Sequence, residues 1–255
     1  MHNKKRLSTI ISIILLGIIA VGFLFPFVWM VATSLKPTTE VFSLSPTGSR
    51  IAWDNYPSAL NSIPFGRVVL NSFIVSLAGA ALVVVVSVLS AYAFARLRFK
   101  GRDHLFMVFL GTLVLPQEVL VIPLYIGMQR MGLVNSYFAL IVPFAFGAFG
   151  AFLIRQFLMS LPLEFEEAAR IDGCSDWKIL TKILLPLLKA PITVVGVFAF
   201  IDYWSAFLWP LIVVNDSTLA TIPLGLQMFS GERGTDWGPL MAAVTMTTIP
   251  SILLV

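Results

Sequence analysis

A stretch of charged residues interrupts an otherwise apolar chain. Its side chains are the ones in this sequence best suited to binding a partner. Nine charged residues lie between Ser160 and Lys189: Glu164, Glu166, Glu167, Arg170, Asp172, Asp176, Lys178, Lys182 and Lys189. In a bilayer each ionised residue costs about 2.5–3.5 kcal/mol, whereas a leucine returns only about 0.5 kcal/mol. The stretch is therefore predicted to face water, even beside membrane-spanning segments.

Local signals within this charged stretch predict two short helices joined at a glycine. Ser160 is a candidate N-cap for the first helix, and Gly173 is placed to close it in a left-handed conformation. Ser175 or Asp176 can cap the second helix, and Pro186 limits its length.

The first of these helices carries one small, largely apolar face. Phe165, Ala168, Ala169 and Asp172 fall at positions i, i+3, i+4 and i+7. Such a face on an exposed helix suits docking into a partner's groove. An ordinary surface helix packed on its own bundle has the same pattern, so spacing alone leaves both interpretations open.

A second group of polar residues lies within apolar segments. Glu118 sits between two prolines, and Asp202 is followed by Tyr203 and Trp204. Ionisable residues at membrane depth are costly and usually face a cavity, so these four are candidates for a translocation pathway. The alternatives are an interfacial Glu118, an Asp202 that satisfies backbone groups, and a Trp204 in the aromatic belt.

The composition indicates that membrane-embedded segments position these residues. Hydrophobic residues make up 58% of the 255 residues, charged residues only 12%, and mean hydropathy is +0.92. A soluble domain carries about 25% charged residues, so most of this surface is predicted to face lipid. The single cysteine, Cys174, and the two histidines provide no disulfide and no metal cluster. No metal, cofactor or nucleic-acid partner is expected.

Hydropathy predicts six spans, at residues 10–35, 68–95, 105–128, 136–157, 190–214 and 238–255. The first follows Lys4-Lys5-Arg6 and could be a signal peptide, but its length and the lack of a small-x-small site favour an uncleaved span. With the N-terminus in the cytoplasm, twelve of the 17 lysines and arginines lie on that side and five, Arg233 among them, lie outside. This bias places both termini and the charged stretch in the cytoplasm.

The charged stretch also carries a motif. It contains Glu167-Ala168-Ala169, then Gly173 after three residues, Ile183 after nine more, and Leu185-Pro186 after one more. This spacing matches the EAA motif of binding-protein-dependent ABC importer permeases. Every defining position and spacing is present, and the motif follows the fourth predicted span. The chain resembles this family.

The remainder resembles the carbohydrate branch of the family, close to the second permease of maltose-type importers. The supporting stretches span nearly the whole chain: Trp53-Asp-Asn-Tyr56, Asn71-Ser72, Ser90-Ala-Tyr-Ala-Phe-Ala-Arg96, Leu208-Trp-Pro-Leu-Ile212 and Pro223-Leu-Gly-Leu226. Two departures are Ser205, where relatives usually have asparagine, and the end at Val255, where relatives continue with a short basic tail. The sixth helix is therefore expected to be incomplete.

The resemblance implies an all-α integral membrane protein with the ABC type I importer permease fold. It implies an N-terminal helix and outer loop over residues 1–67 and a five-helix core over 68–255, with a coupling loop at about 160–189. The implied partners are a second permease, two cytoplasmic ATPase subunits, an external binding protein that delivers a sugar, and membrane lipid. The family's ATPase-coupling positions correspond here to Glu167, Ala168, Ala169, Asp172, Gly173, Ile183 and Pro186. The location implied is a bacterial or archaeal plasma membrane.

Other functions fit the residues less well. A secondary transporter would need its own ion site, usually in repeated halves, and no repeat is visible. A channel would need a filter or a ring of charge, and a membrane enzyme would need clustered histidine, cysteine or paired carboxylates. No Gly-rich loop with a phosphate-binding lysine occurs, so ATP hydrolysis is expected in another chain and the protein is not expected to be an enzyme. An ABC permease for a non-sugar solute remains the principal alternative.

Overall fold

The computed structural model describes residues 2–231 and 234–254, and their regular structure is almost wholly helical. The helices are α1 (His2–Ser34), α2 (Asn55–Ser62), α3 (Phe65–Arg96), α4 (Arg102–Gly111), α5 (Gln117–Arg130), α6 (Tyr137–Ile141), α7 (Ala148–Ser160), α8 (Glu164–Ile171), α9 (Asp176–Lys178), α10 (Leu185–Leu187), α11 (Lys189–Ser205), α12 (Leu208–Val213), α13 (Ile222–Gln227) and α14 (Trp237–Leu254). A π-helical stretch, Ile179–Leu184, joins α9 to α10, and strands β1 (Ser230–Gly231) and β2 (Gly234–Thr235) form a small antiparallel hairpin. Two residues used in the predictions lie outside the described residues: Arg233, counted among the outer basic residues, and Val255, at which the sixth span ends.

Two helices are long and apolar enough to cross a membrane unaided, Ile11–Ser34 within α1 and the whole of α3. At about 1.5 Å per residue, the 32 residues of α3 exceed the roughly 30 Å hydrocarbon thickness. Three further helix pairs qualify if each bent pair counts as one span, which gives up to five candidates within the described residues. The all-α class is confirmed, and six spans remain the predicted number.

Prolines explain where the predicted spans break. The third predicted span bends by 101° between Val114 and Gln117. Leu115 is extended there, as the residue before Pro116 should be, whereas Pro123 is accommodated inside α5.

The fifth predicted span, 190–214, was wrong as a continuous helix, because it ends at Ser205 and resumes at Leu208. Pro210 would clash with the carbonyl of residue 206 in a continuous helix. Accordingly Ala206 takes an extended conformation with ψ 122°. The fourth span is likewise divided, into α6 and α7, around Pro143.

Contacts divide the chain into two compact units, residues 1–66 with 225–255, and residues 67–224. In the first unit α14 packs against α1 and α2, so the last helix groups with the first rather than with the core to which 68–255 had been assigned. The amide of Asn55 joins the end of α1 to α2 by donating to the carbonyls of Ser34 and Lys36. Gly238, at the start of α14, lies so close to Asn55 that an added Cβ would be 2.6 Å from its side-chain oxygen.

The second unit holds the candidate sites and has two buried clusters. One joins α3, α7, α8 and the π-helical stretch around Ile154, Leu158 and Leu184, and the other joins α3, α5, α6 and α12 around Val75, Leu140 and Val213. Small residues let helices approach closely in this unit. A Cβ at Gly150 of α7 would overlap the side chain of Ser87 in α3, so this contact requires glycine.

Candidate functional site

The charged stretch folds as two short helical segments joined at Gly173, as predicted. Gly173 has φ +78°, a conformation that favours glycine. The Cys174 N–H donates to Ala169 O at 2.9 Å, and the Gly173 N–H donates to Arg170 O at 3.0 Å, so the last carbonyls of α8 are satisfied. The Ser175 hydroxyl accepts from the Lys178 N–H at the start of α9, which decides the second cap in favour of Ser175.

Ser160 was wrongly predicted to cap the first helix. It is the last residue of α7, and its hydroxyl donates back to Phe157 O at 2.7 Å. The residue that precedes α8 is Leu163, and it provides no side-chain cap. Three acidic residues in the first turn of α8 complement its positive end instead.

The inward face of α8 is held by a buried ion pair. Glu166 Oε1 lies 2.5 Å from Nε of Arg96, the last residue of α3, and the two side chains are only 5% and 7% exposed. The contact is an ion pair rather than an aligned hydrogen bond. The ion pair thus joins α8 to the end of α3.

Arg96 also fixes the end of α7. Its guanidinium donates to Leu158 O at 2.7 Å, which also accepts the Leu161 N–H, and to Leu161 O at 3.2 Å, just beyond the end of α7. A second link lies nearby, where Asp176 accepts from Arg170 at 2.6 Å and from the Tyr92 hydroxyl at 3.4 Å. The loop is therefore clamped to α3 at two points.

The outward face of α8 has a different composition from the one predicted. Ala169 is 7% exposed and packs into the core of its own chain, so the prediction that it faces a partner was wrong. Three residues from Glu166, it lies on the same inward face of the helix. Leu163, Glu167 and Ile171, at four-residue spacing, are exposed instead, and Ile171 is 87% exposed.

The other predicted coupling residues divide between surface and core. Ala168 and Asp172 are exposed beside the outward stripe of Leu163, Glu167 and Ile171. Ile183 is half-buried against the inner cluster, and Pro186 is exposed in α10 just before the chain bends by 81° into α11.

The pathway candidates meet at a cavity of about 380 Å³ within the second unit. Its wall includes Glu118 from the first turn of α5, and Asp202 and Tyr203 from the end of α11. The breaks before α5 and after Ser205 both open onto it, as does Phe144 between α6 and α7. Trp204 does not line the cavity, because its ring packs between Phe73 and Phe200.

Two asparagines hold residues 215–222, the segment that follows α12. Asn71 of α3 donates to the carbonyls of Thr218 and Ala220 and accepts the Tyr137 hydroxyl at 2.6 Å. Asn135, in a left-handed turn with φ +60°, accepts the N–H groups of residues 215 and 216. Residues 215–222 are therefore anchored to both α3 and the turn before α6.

Sequence reasoning missed several of these groups. Arg96 and Asn71 were noticed only as parts of resembling stretches, and the signal that could have singled out Arg96 is its position at the end of a long apolar run. Nothing in the spacing paired Arg96 with Glu166, which lies 70 residues further along.

Comparisons with known proteins agree with this arrangement. Residues 83–255 match the family described as binding-protein-dependent transport system inner membrane component. The sn-glycerol-3-phosphate transport system permease protein UgpE of Pectobacterium atrosepticum is 38% identical, over 100% of this chain and 94% of that protein. The lactose transport system permease protein LacG of Rhizobium radiobacter is 31% identical, over 98% and 92%. The arabinooligosaccharides transport system permease protein AraQ of Halalkalibacterium halodurans is 32% identical, over 98% and 93%.

Solved structures show the same fold. A chain of a bacterial ABC transporter involved in the import of the acidic polysaccharide alginate superposes with a TM-score of 0.84 at 23% identity, covering 98% of this chain and 94% of that one. In the alginate transporter complexed with its alginate pentasaccharide-bound periplasmic protein, the match has a TM-score of 0.66 at 18% identity. Together with the family match, these similarities identify the chain as an inner-membrane permease of the binding-protein-dependent ABC transport family, with ATP hydrolysis in a separate subunit.

Proposed function

We propose that this chain is one of two permease subunits in an ATP-driven importer of a sugar or sugar derivative. The lactose and arabinooligosaccharide permeases among its relatives support the solute class. In this arrangement both termini and the loop at 160–189 face the cytoplasm, and two ATPase subunits bind there.

The observation that carries the proposal is the outward stripe of α8. Leu163 and Ile171 are 53% and 87% exposed on either side of Glu167, on a loop too charged to be covered by lipid. Exposed apolar groups flanked by charge are typical of a protein-binding surface. Glu167 has no ion-pair partner within the described chain, so its carboxylate is free to pair with a basic residue of the ATPase.

The other face of α8 explains how movement of the ATPase would reach the membrane. The ion pair to Arg96 joins the coupling helix to α3, and α3 contributes Val75 and Val83 to the cavity wall. Closure of the ATPase dimer on ATP would favour one of two arrangements of these helices, which is a shift in population between inward-open and outward-open states. Glu118, Asp202 and Tyr203 would then line the pathway in one of them.

In the same arrangement the segment that follows α12 lies outside, and this outer segment is proposed as the docking face for the external binding protein. Its anchoring by Asn71 and Asn135 provides a rigid base at residues 215–222. The hairpin and the exposed Gly231 lie further along the same stretch, before Trp237.

A non-sugar solute is the second candidate, since the UgpE relative is named for sn-glycerol-3-phosphate. With either solute the chain would work in an ABC importer. A secondary transporter would instead depend on an ion gradient.

The proposal is tested by purifying the tagged chain with its bound subunits and reconstituting it in proteoliposomes. Uptake of labelled lactose or arabinotriose, with the binding protein added, should require ATP and not an ion gradient. Gly173→Pro should abolish it, because proline cannot adopt φ +78°, while membrane insertion is retained. Full transport by Gly173→Pro, or uptake driven by a gradient alone, would overturn the proposal.

A further inference from the structure

The cavity has an unbalanced set of charges. Glu118 and Asp202 both line it, and no lysine, arginine or histidine occurs among the described residues of its wall. Neither carboxylate has a hydrogen bond or an ion pair within the described chain. Unpaired carboxylates are expensive near the hydrocarbon region, and they usually mark a solute route.

The side chains of the cavity wall also offer few hydrogen-bond donors. Three polar side chains on its wall spend their donors on the protein's own backbone: Tyr203 on Ile141 O at 2.5 Å, Trp209 on Ala139 O at 2.8 Å, and Ser205 on Ile201 O at 2.7 Å. Of the polar side chains on the described wall, only Gln117 keeps uncommitted N–H groups. The side chains of the wall therefore present acceptors from two carboxylates and very few donors.

This chemistry distinguishes neutral from anionic solutes. A phosphate or carboxylate needs donors or cations, and it would be repelled by two like charges. A neutral polyol brings its own hydroxyl donors, which carboxylates accept readily. The apolar ring faces of sugars can pack on aromatic walls, here Phe144 and Trp209, whose rings lie 5.4 Å apart edge to face.

We propose that Glu118 and Asp202 make this cavity a charge filter that admits neutral polyhydroxylated solutes and rejects anionic ones, including phosphorylated and carboxylated sugars. The proposal rests on the proposed importer function and narrows its substrate class. It separates this chain from its glycerol-3-phosphate relative and from the alginate importer, whose named solutes are anionic.

The charge of the cavity can be measured without knowing the solute. Cys174 is the one native cysteine, so a Cys174→Ser background allows a single reporter thiol at Ala206, which lines the cavity. In the purified complex, Ala206→Cys is labelled with a cationic and an anionic methanethiosulfonate reagent, and each rate is divided by the reagent's rate with a small free thiol. The cationic reagent should be favoured at least about tenfold.

Matched variants test whether Glu118 and Asp202 cause the preference for the cationic reagent. Glu118→Gln and Asp202→Asn should each bring the ratio towards one, whereas Asp54→Asn, an exposed outer-loop carboxylate that does not line the cavity, should leave it unchanged. An equal or faster rate for the anionic reagent in the unsubstituted cavity would overturn the proposal. A ratio that is the same in both cavity variants as in the unsubstituted cavity would also overturn it.

Uptake separates this proposal from the importer function itself. In ATP-driven proteoliposomes, lactose or arabinotriose should be transported at least about tenfold faster than sn-glycerol 3-phosphate, and transport of the phosphate at an equal rate would overturn the charge filter. If none of the three probes is transported while the thiol ratio stays cationic, the charge filter stands and the proposed sugar import fails.

Discussion

The buried pair of Arg96 and Glu166 gives the sharpest prediction about coupling. Glu166→Gln keeps the side-chain volume but leaves the Arg96 guanidinium, 7% exposed, without its counter-charge. Breaking a buried pair from one side costs about 3–5 kcal/mol. Arg96 keeps its bonds to Leu158 O and Leu161 O, so the lower end, about 3 kcal/mol, is expected.

Two assays measure this effect. In a chain of this size, about 3 kcal/mol corresponds to a fall in the thermal midpoint of about 6–12 °C in detergent. Coupling is measured as solute imported per ATP hydrolysed in proteoliposomes, and it should fall because the stronger of the two links between the loop and α3 is lost. Glu164→Gln is the matched control, since it removes an exposed carboxylate from the same helix and should change stability by less than about 0.5 kcal/mol.

Charge reversal shows whether the pair acts as a pair. In a double-mutant cycle, Arg96→Glu combined with Glu166→Arg should be less destabilised than the sum of the two single variants. A structural and coupling role for the ion pair is refuted if Glu166→Gln has the thermal midpoint and the transport-to-ATP ratio of Glu164→Gln. It is also refuted if the destabilisations of the two reversals are simply additive.

Three further predictions concern packing and the outer segment. Gly150→Ala would force its Cβ into the side chain of Ser87 and should cost about 1–3 kcal/mol, seen as a lower thermal midpoint; an unchanged midpoint would contradict the close approach of α7 and α3. Gly79→Ala would bring Cβ to 2.5 Å from the Tyr203 ring and should slow ATP-driven uptake by displacing a cavity wall, so wild-type uptake kinetics would argue against that wall's role. Asn71→Ala removes two bonds to backbone carbonyls, at about 1–3 kcal/mol for the groups left unpaired, and should speed hydrogen exchange at residues 215–222; unaltered exchange there would exclude the anchor.

Local signals were read correctly from the sequence where one residue determines one backbone feature. The left-handed turn at Gly173 and the cap at Ser175 depend on groups a few residues away, and both are present. Glu118 and Asp202 share a cavity, as expected of ionisable residues in apolar runs, which usually face a polar space, and their role in a pathway stays a prediction.

Errors arose where partners lie far apart in the chain. Periodicity placed Ala169 on the same face as Ala168, but only the packing of α8 on α3 decides which side turns inward. The buried position of Glu166 depends on Arg96, whose location follows from the whole fold. Trp204 was grouped with its neighbours in sequence, although adjacent helical residues point about 100° apart and its ring turns away from the cavity.

The break at Ala206 could have been predicted. Pro210 stands four residues later and excludes a continuous helix through that carbonyl. High mean hydropathy across 190–214 hid this signal, because hydropathy reports burial in lipid and not helix continuity.

The central claim is that the outward stripe of α8 holds an ATPase subunit, and recovery of that subunit tests it most directly. The tagged chain is extracted from native membranes as wild type, as Glu167→Arg, and as Asp54→Arg, which reverses an exposed carboxylate on the outer loop. Wild type and Asp54→Arg should co-purify with an ATPase and show ATP-driven uptake, while Glu167→Arg should stay in the membrane and lose both. Recovery of the ATPase by Glu167→Arg at the wild-type ratio, with full uptake, would contradict it.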